Sequence, residues 1–194
     1  NVKLGFRDAG VNEEAWLMRR FELFETFCLP TVLQQTCADF KWLVFFDKDL
    51  PQRFRERVAA YPSRANLVPC FLDGFNRDEV AEVVAIHAGP AAPGLLTTRL
   101  DNDDALAVTF IEAVQRACPR DVKRAFINFP KGFVYSRGRL YVTRRSANPF
   151  ISLVETERRV EALREELEGL RRSRTKVFQL PPIEWIEERL SHAQ

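Results

Sequence analysis

The stretch Phe40-Lys41-Trp42-Leu43-Val44-Phe45-Phe46-Asp47-Lys48-Asp49-Leu50-Pro51 (residues 40–51) is apolar from Trp42 to Phe46, then stops in two aspartates and a proline. A short apolar run closed this way predicts a buried strand whose C-terminal end feeds a loop. The same device recurs at Leu95-Leu96-Thr97-Thr98-Arg99-Leu100, which runs into Asp101-Asn102-Asp103-Asp104. Residues 66–72 read as a third strand. Helical patterns over 52–61 and 76–87 separate these strands, and a further helix is predicted over 105–117. Gly89-Pro90-Ala91-Ala92-Pro93-Gly94 breaks the chain before the third repeat. This alternation predicts an α/β fold, with helices flanking a mostly parallel sheet.

Working outward, residues 13–36 carry Leu17, Phe21, Phe24, Cys28 and Val32 at spacings of four, three, four and four. That spacing places all five on one helical face. Pro30 lacks a backbone donor and predicts a kink or break. Beyond residue 117 the pattern shortens. Residues 125–129, 132–136, 140–143 and 150–154 read as short antiparallel strands joined by Gly and Pro turns. Residues 155–176 are densely charged, with Val160, Leu163, Leu167 and Leu170 in a short heptad and Glu155 four before Arg159. They read as a solvated amphipathic helix. Pro181-Pro182 ends it, and 183–190 form a last short helix. The expected organisation is a core over 1–154 with a helical tail over 155–194 in the same domain.

Composition narrows the class. The 194 residues are 46% hydrophobic and 29% charged, an ordinary globular balance. Lys and Arg number 29 and Asp and Glu 27, so the net charge of +2 selects no nucleic-acid partner. No run of 18 apolar residues predicts a transmembrane helix. The four cysteines (Cys28, Cys37, Cys70, Cys118) form no CxxC pair, which points to a reducing compartment. Two histidines, His87 and His192, are too few for a three-His zinc site. No Gly-rich phosphate loop, zincin or hydrolase-elbow motif occurs.

The chemistry concentrates at Asp101-Asn102-Asp103-Asp104. Three carboxylates in four residues repel one another unless a cation or a helix N-terminus offsets them. They follow a predicted strand end, where open α/β sheets bind ligands. Mg²⁺ is held by one or two carboxylates plus water and substrate phosphates, so Asp-x-Asp here suits a metal–diphosphate. The alternative is that Asp103 or Asp104 caps the following helix. Asp47-Lys48-Asp49 is a second acidic loop; it reads either as a nucleotide contact or as a polar turn.

Two segments resemble a known family. Phe27-Cys28-Leu29-Pro30-Thr31-Val32-Leu33-Gln34-Gln35-Thr36, followed by Asp39 to Asp47, is similar to the opening of GT-A glycosyltransferases. There a helix ending in Pro-Ser/Thr…Gln-Thr leads to a strand finishing in Asp. Together with Thr98 to Leu106 and Asn148-Pro149-Phe150-Ile151-Ser152-Leu153, the chain most resembles rhamnosyltransferases, over about residues 2–155. The resemblance implies a GT-A-like (Rossmann-like) sheet whose usual first strand would precede Asn1. It implies transfer of a sugar, rhamnose in the family, from a nucleotide-diphosphate donor to a glycan or related acceptor. It also implies a divalent cation, Mg²⁺ or Mn²⁺. Asp101 and Asp103 match the Asp-x-Asp pair, and Asp47 matches the carboxylate at the nucleotide base. His192 is the only late histidine that can match a further metal ligand, or it is a tail residue. Arg99 can assist the diphosphate or merely pair with Asp101. Glu155 is the candidate base, or else it starts the charged helix. The expected location is cytoplasmic or peripheral to a membrane.

Two other readings stay open: a nucleotidyltransferase using the same acidic site, and a scaffold that binds a partner through 155–176. Arg137-Gly138-Arg139 and Arg144-Arg145, interleaved with Tyr135 and Tyr141, read either as a solvated hairpin face or as a contact for RNA or a phosphorylated acceptor.

Overall fold

A computed structural model describes residues 13–62, 66–73, 75–88, 94–119, 122–146, 148 and 150–156. The candidate ligand His192, the charged segment from 157 and the final helix lie outside these residues.

The five residues spaced along 13–36 do form one face. Leu17, Phe21, Phe24, Cys28 and Val32 are all buried. They lie on a single rod made of α1 (Glu13–Leu23), a π-helical turn (Phe24–Cys28) and α2 (Leu29–Leu33). The break expected at Pro30 takes a milder form. Leu29 N–H donates to Phe24 C=O, one residue further back than in an α-helix. This wide turn makes room for the proline ring, and the helix continues past it.

β1 (Trp42–Asp47) lies against the rod and pairs in parallel with β2 (Leu67–Leu72), Phe46 opposite Phe71. α3 (Gln52–Ala59) makes the crossover between them. Val44 and Phe46 of β1, Phe54 and Val58 of α3, and Leu17, Phe21 and Phe24 of the rod share one buried cluster. Phe21 stacks on Phe54 with centroids 4.9 Å apart and on Phe46 at 6.1 Å. Glu25 on the rod binds α3 at Arg57 (Nε–Oε1 2.6 Å) and accepts from Tyr61 just beyond it (2.7 Å). Burial, reinforced by that bond, raises the Tyr61 phenol above its ordinary range. α4 (Arg77–Ala88) follows β2.

The expectation of a GT-A-like, mostly parallel sheet is not met. β1 and β2 are the only parallel pair among the described strands. β3 (Gly94–Thr98), β7 (Ser152–Thr156) and β4 (Arg124–Ile127) form a separate antiparallel sheet with β7 in the middle. β5 (Lys131–Ser136) and β6 (Arg139–Arg144) form an antiparallel hairpin. β7 returns after that hairpin with no described helix in between, and it lies antiparallel to both neighbours. It therefore separates β3 from β4, the two strands that a parallel reading would have joined. Val114 of α5 (Phe110–Ala117) packs with Ile127 and Val154 in a second, smaller cluster. Glu155 and Thr156 belong to β7 and do not start a helix.

Phe21→Ala should cost about 3–5 kcal/mol, as expected for truncating a buried ring. Phe133→Ala, on the exposed hairpin, should cost less than about 0.5 kcal/mol. Urea denaturation followed by circular dichroism measures both; equal losses would contradict this placement of the core.

Candidate active site: the acidic loop after β3

Residues 105–109 were expected to be helical, and Ala105, Leu106 and Ala107 have reasonable helix propensity. The structure instead starts α5 at Phe110. Backbone groups of this segment are instead engaged by Thr31 on the rod and by Gln35 and Thr36 just beyond its end. Leu106 N–H donates to Thr31 Oγ1 (3.2 Å), whose own hydroxyl is directed at Cys28 C=O (2.9 Å). Gln35 Nε2 donates to Ala107 C=O (2.8 Å) and Gln35 Oε1 accepts from Ile111 N–H (3.0 Å). Thr36 N–H takes Val108 C=O (2.9 Å), and its hydroxyl donates to Glu112 (3.0 Å). With these partners taken, the segment is held off the helical ladder. The capping alternative for Asp103 and Asp104 therefore falls away. The residue capping α5 is Thr109, and it makes no side-chain cap bond.

The acidic loop hangs between Leu100 and Leu106. Both line a cavity of about 220 Å³ together with Val32, Trp42, Leu96 and Val114. Thr98 and Ser152 hydroxyls pair at 2.7 Å at the adjoining end of β3, where Ser152 is fully buried. Asp104 N–H bonds Asp101 C=O (3.2 Å), closing the turn.

Two of the three carboxylates carry an arginine. Arg20, reaching from α1, grips Asp103 through both nitrogens (3.0 and 3.2 Å). This forked geometry is the stronger kind of ion pair. Arg99 sits on Asp101 at 3.2–3.3 Å. Asp104 has no ion pair of its own among the described residues. Desolvation, followed by the charges of Asp103 and Asp101, pushes its carboxyl up to about 6, with Arg99 opposing. Asn102 is 1% exposed, and among the described residues neither its Oδ1 nor its Nδ2 has a hydrogen-bond partner. An unpaired buried amide of this kind costs on the order of 1–3 kcal/mol.

Asp47 ends β1, and its Oδ1 accepts from Asp49 N–H (2.7 Å) in a tight turn. Lys48 pairs with Asp73 (2.5 Å). The rod links this end of β1 to the acidic loop, since Phe21 stacks on Phe46 and its neighbour Arg20 holds Asp103. Glu155 is not brought to the loop. It is buried on β7 opposite Leu95, and Arg124 lies 3.7 Å away. Ser152 faces Thr98 at the loop end of the pair, so Glu155 sits three residues further along, roughly 10 Å.

Arg20 and Asn102 escape a sequence reading. Arg20 is one of two adjacent arginines on a helix, and Asn102 lies unremarked between aspartates. Thr31, Gln35 and Thr36 stand within the Pro-Thr…Gln-Thr pattern, but their role shows only in three dimensions.

A strand-end loop with three carboxylates, fixed by polar side chains of Thr31, Gln35 and Arg20, is the feature that this mixed α/β fold presents. The chain belongs to the family described as "Putative rhamnosyl transferase", whose model matches residues 4–158. That membership places it in a family of glycosyltransferases. No curated protein and no solved structure matches it.

A carboxyl whose folded-state pKa lies above its unfolded value weakens the fold above about pH 6 and ceases to do so below about pH 4. Asp104→Asn should therefore stabilise the protein at pH 7.5, on the order of 1 kcal/mol once screening is counted. The gain should vanish near pH 4. Thermal melts at both pH values test this; an equal gain at both would mean the charge is not the cause.

Proposed function

We propose that the protein moves a sugar, rhamnose by its family, from a nucleotide-diphosphate donor to a glycan or related acceptor, with the acidic loop as the donor site. The observation that carries the reading is the loop itself. Among the described residues three carboxylates meet two paired arginines, on a segment that Thr31, Gln35 and Thr36 hold outside the helix that follows. The loop's surplus negative charge suits a cation.

Among the described residues no three His, Cys, Asp or Glu side chains converge to hold a metal ion. A cation bound here would take Asp101 and Asp103 in place of their arginine partners and complete its shell from the donor's phosphates and water. Mg²⁺ or Mn²⁺ held there would offset charge on the departing diphosphate. Arg99 and Arg20, each already beside a carboxylate, supply further positive charge for phosphate oxygens. Asp47, at the end of β1, contacts the nucleoside. Glu155 is not assigned as the base, because strand register keeps it away from the loop.

Asp103→Ala should lower metal-dependent affinity for a nucleoside diphosphate-rhamnose at least tenfold. The fold should survive, since a half-exposed ion pair contributes about 1 kcal/mol or less. Asp47→Ala should weaken nucleoside diphosphate binding even without metal. Titration calorimetry with and without Mn²⁺ reads both effects. Undiminished metal-dependent affinity in Asp103→Ala contradicts the site, and unchanged affinity in Asp47→Ala contradicts the nucleoside contact.

A further inference from the structure

The β5–β6 hairpin pairs with no other described strand. Its turn needs two consecutive residues at positive φ, Arg137 (50°) and Gly138 (74°), the geometry of a tight two-residue hairpin. Register fixes which side chains share a face. Phe133 lies opposite Val142 and Tyr135 opposite Leu140, and all four are 62–78% exposed. The other face exposes Val134 and Tyr141, which are also opposite one another. A thin ribbon with apolar side chains bared on both faces is a marked departure from an ordinary protein surface. The reading of a solvated hairpin face does not account for it.

Charge supplies the second observation. Between Phe129 and Ser146 stand Lys131, Arg137, Arg139, Arg144 and Arg145, with no Asp or Glu. This stretch of +5 sits in a chain whose net charge is only +2. We propose that the hairpin is a docking element for an anionic lipid bilayer, with its apolar side chains entering the interface and its cations meeting acidic headgroups.

The occupant follows from the chemistry of the ribbon. A flat protein partner covers one face, whereas the interfacial layer of a bilayer surrounds both. Tyrosines favour that layer, where a ring can be apolar at its body and wet at its hydroxyl. Single-stranded nucleic acid would use rings for stacking but has no use for Leu140 and Val142. The outer edges of the ribbon pair with no other described strand, so insertion stops at headgroup depth and binding is reversible and salt-sensitive. The Tyr135 ring meets the Phe27 ring at 6.1 Å. Phe27 C=O lies 3.1 Å from the Thr31 hydroxyl that accepts from Leu106 N–H. Hairpin and acidic loop thus lean on one turn of the rod. The inference does not rest on the reaction chemistry.

The test is sedimentation of the full chain with phosphatidylcholine vesicles, with and without phosphatidylglycerol. Binding is expected only with the anionic lipid, and high salt should release it. Phe133→Ser with Val142→Ser should weaken it roughly tenfold or more. Arg139→Ala and Arg144→Ala should each weaken it about fivefold. All these positions are exposed, so melting temperatures should stay within a few degrees of the parent. No vesicle binding, or binding unchanged in either set of variants, overturns the proposal. So does a hairpin that binds a single-stranded oligonucleotide, or drives a dimer lost in Phe133→Ser/Val142→Ser, without binding vesicles.

Discussion

Everything distinctive about the site depends on the bonds that run from one edge of the helical rod to the segment after β3. Thr31, Gln35 and Thr36 together engage Leu106, Ala107, Val108 and Ile111. Leu106, Ala107 and Val108 are thereby kept ahead of α5, and Ile111 in its first turn is given a side-chain acceptor. Each bond is individually modest, about 1 kcal/mol net, and the buried Leu106 is the partner that can least cheaply lose its bond. Their combined effect is to present four consecutive polar residues at the end of a strand. The wide turn before Pro30 contributes by keeping the rod continuous, so that its C-terminal end reaches the loop.

The same arrangement concentrates like charge. Arg20 and Arg99 neutralise two carboxylates and leave the third in partly desolvated surroundings. Asn102 adds a buried amide without partners. Neither feature helps the fold stand.

Much of the fold could be read from periodicity. The rod's buried face, β1 and β2 follow from apolar spacing and polar stops, and the parallel pairing of β1 with β2, the one parallel pair among the described strands, from the helix between them. Sheet connectivity could not be read this way. β7 carries Leu153 and Val154 like any short strand, and only tertiary packing seats it between β3 and β4. Local propensity favoured a helix from Ala105, but partners some seventy residues away in sequence overruled it. Asp101 and Asp103 stood out in the sequence because clustered charge at a strand end needs an explanation, and the structure gives each an arginine partner. Arg20 did not, because nothing local marks an arginine on α1 as the partner of a residue 83 positions away.

The most direct measurement is paramagnetic relaxation by Mn²⁺ in amide-resolved NMR spectra, recorded with a nucleoside diphosphate present. The account predicts that signals of residues 101–106 and Arg20 broaden first, and that this broadening is lost in Asp101→Asn/Asp103→Asn. Broadening centred elsewhere, with residues 101–106 left sharp, would contradict it.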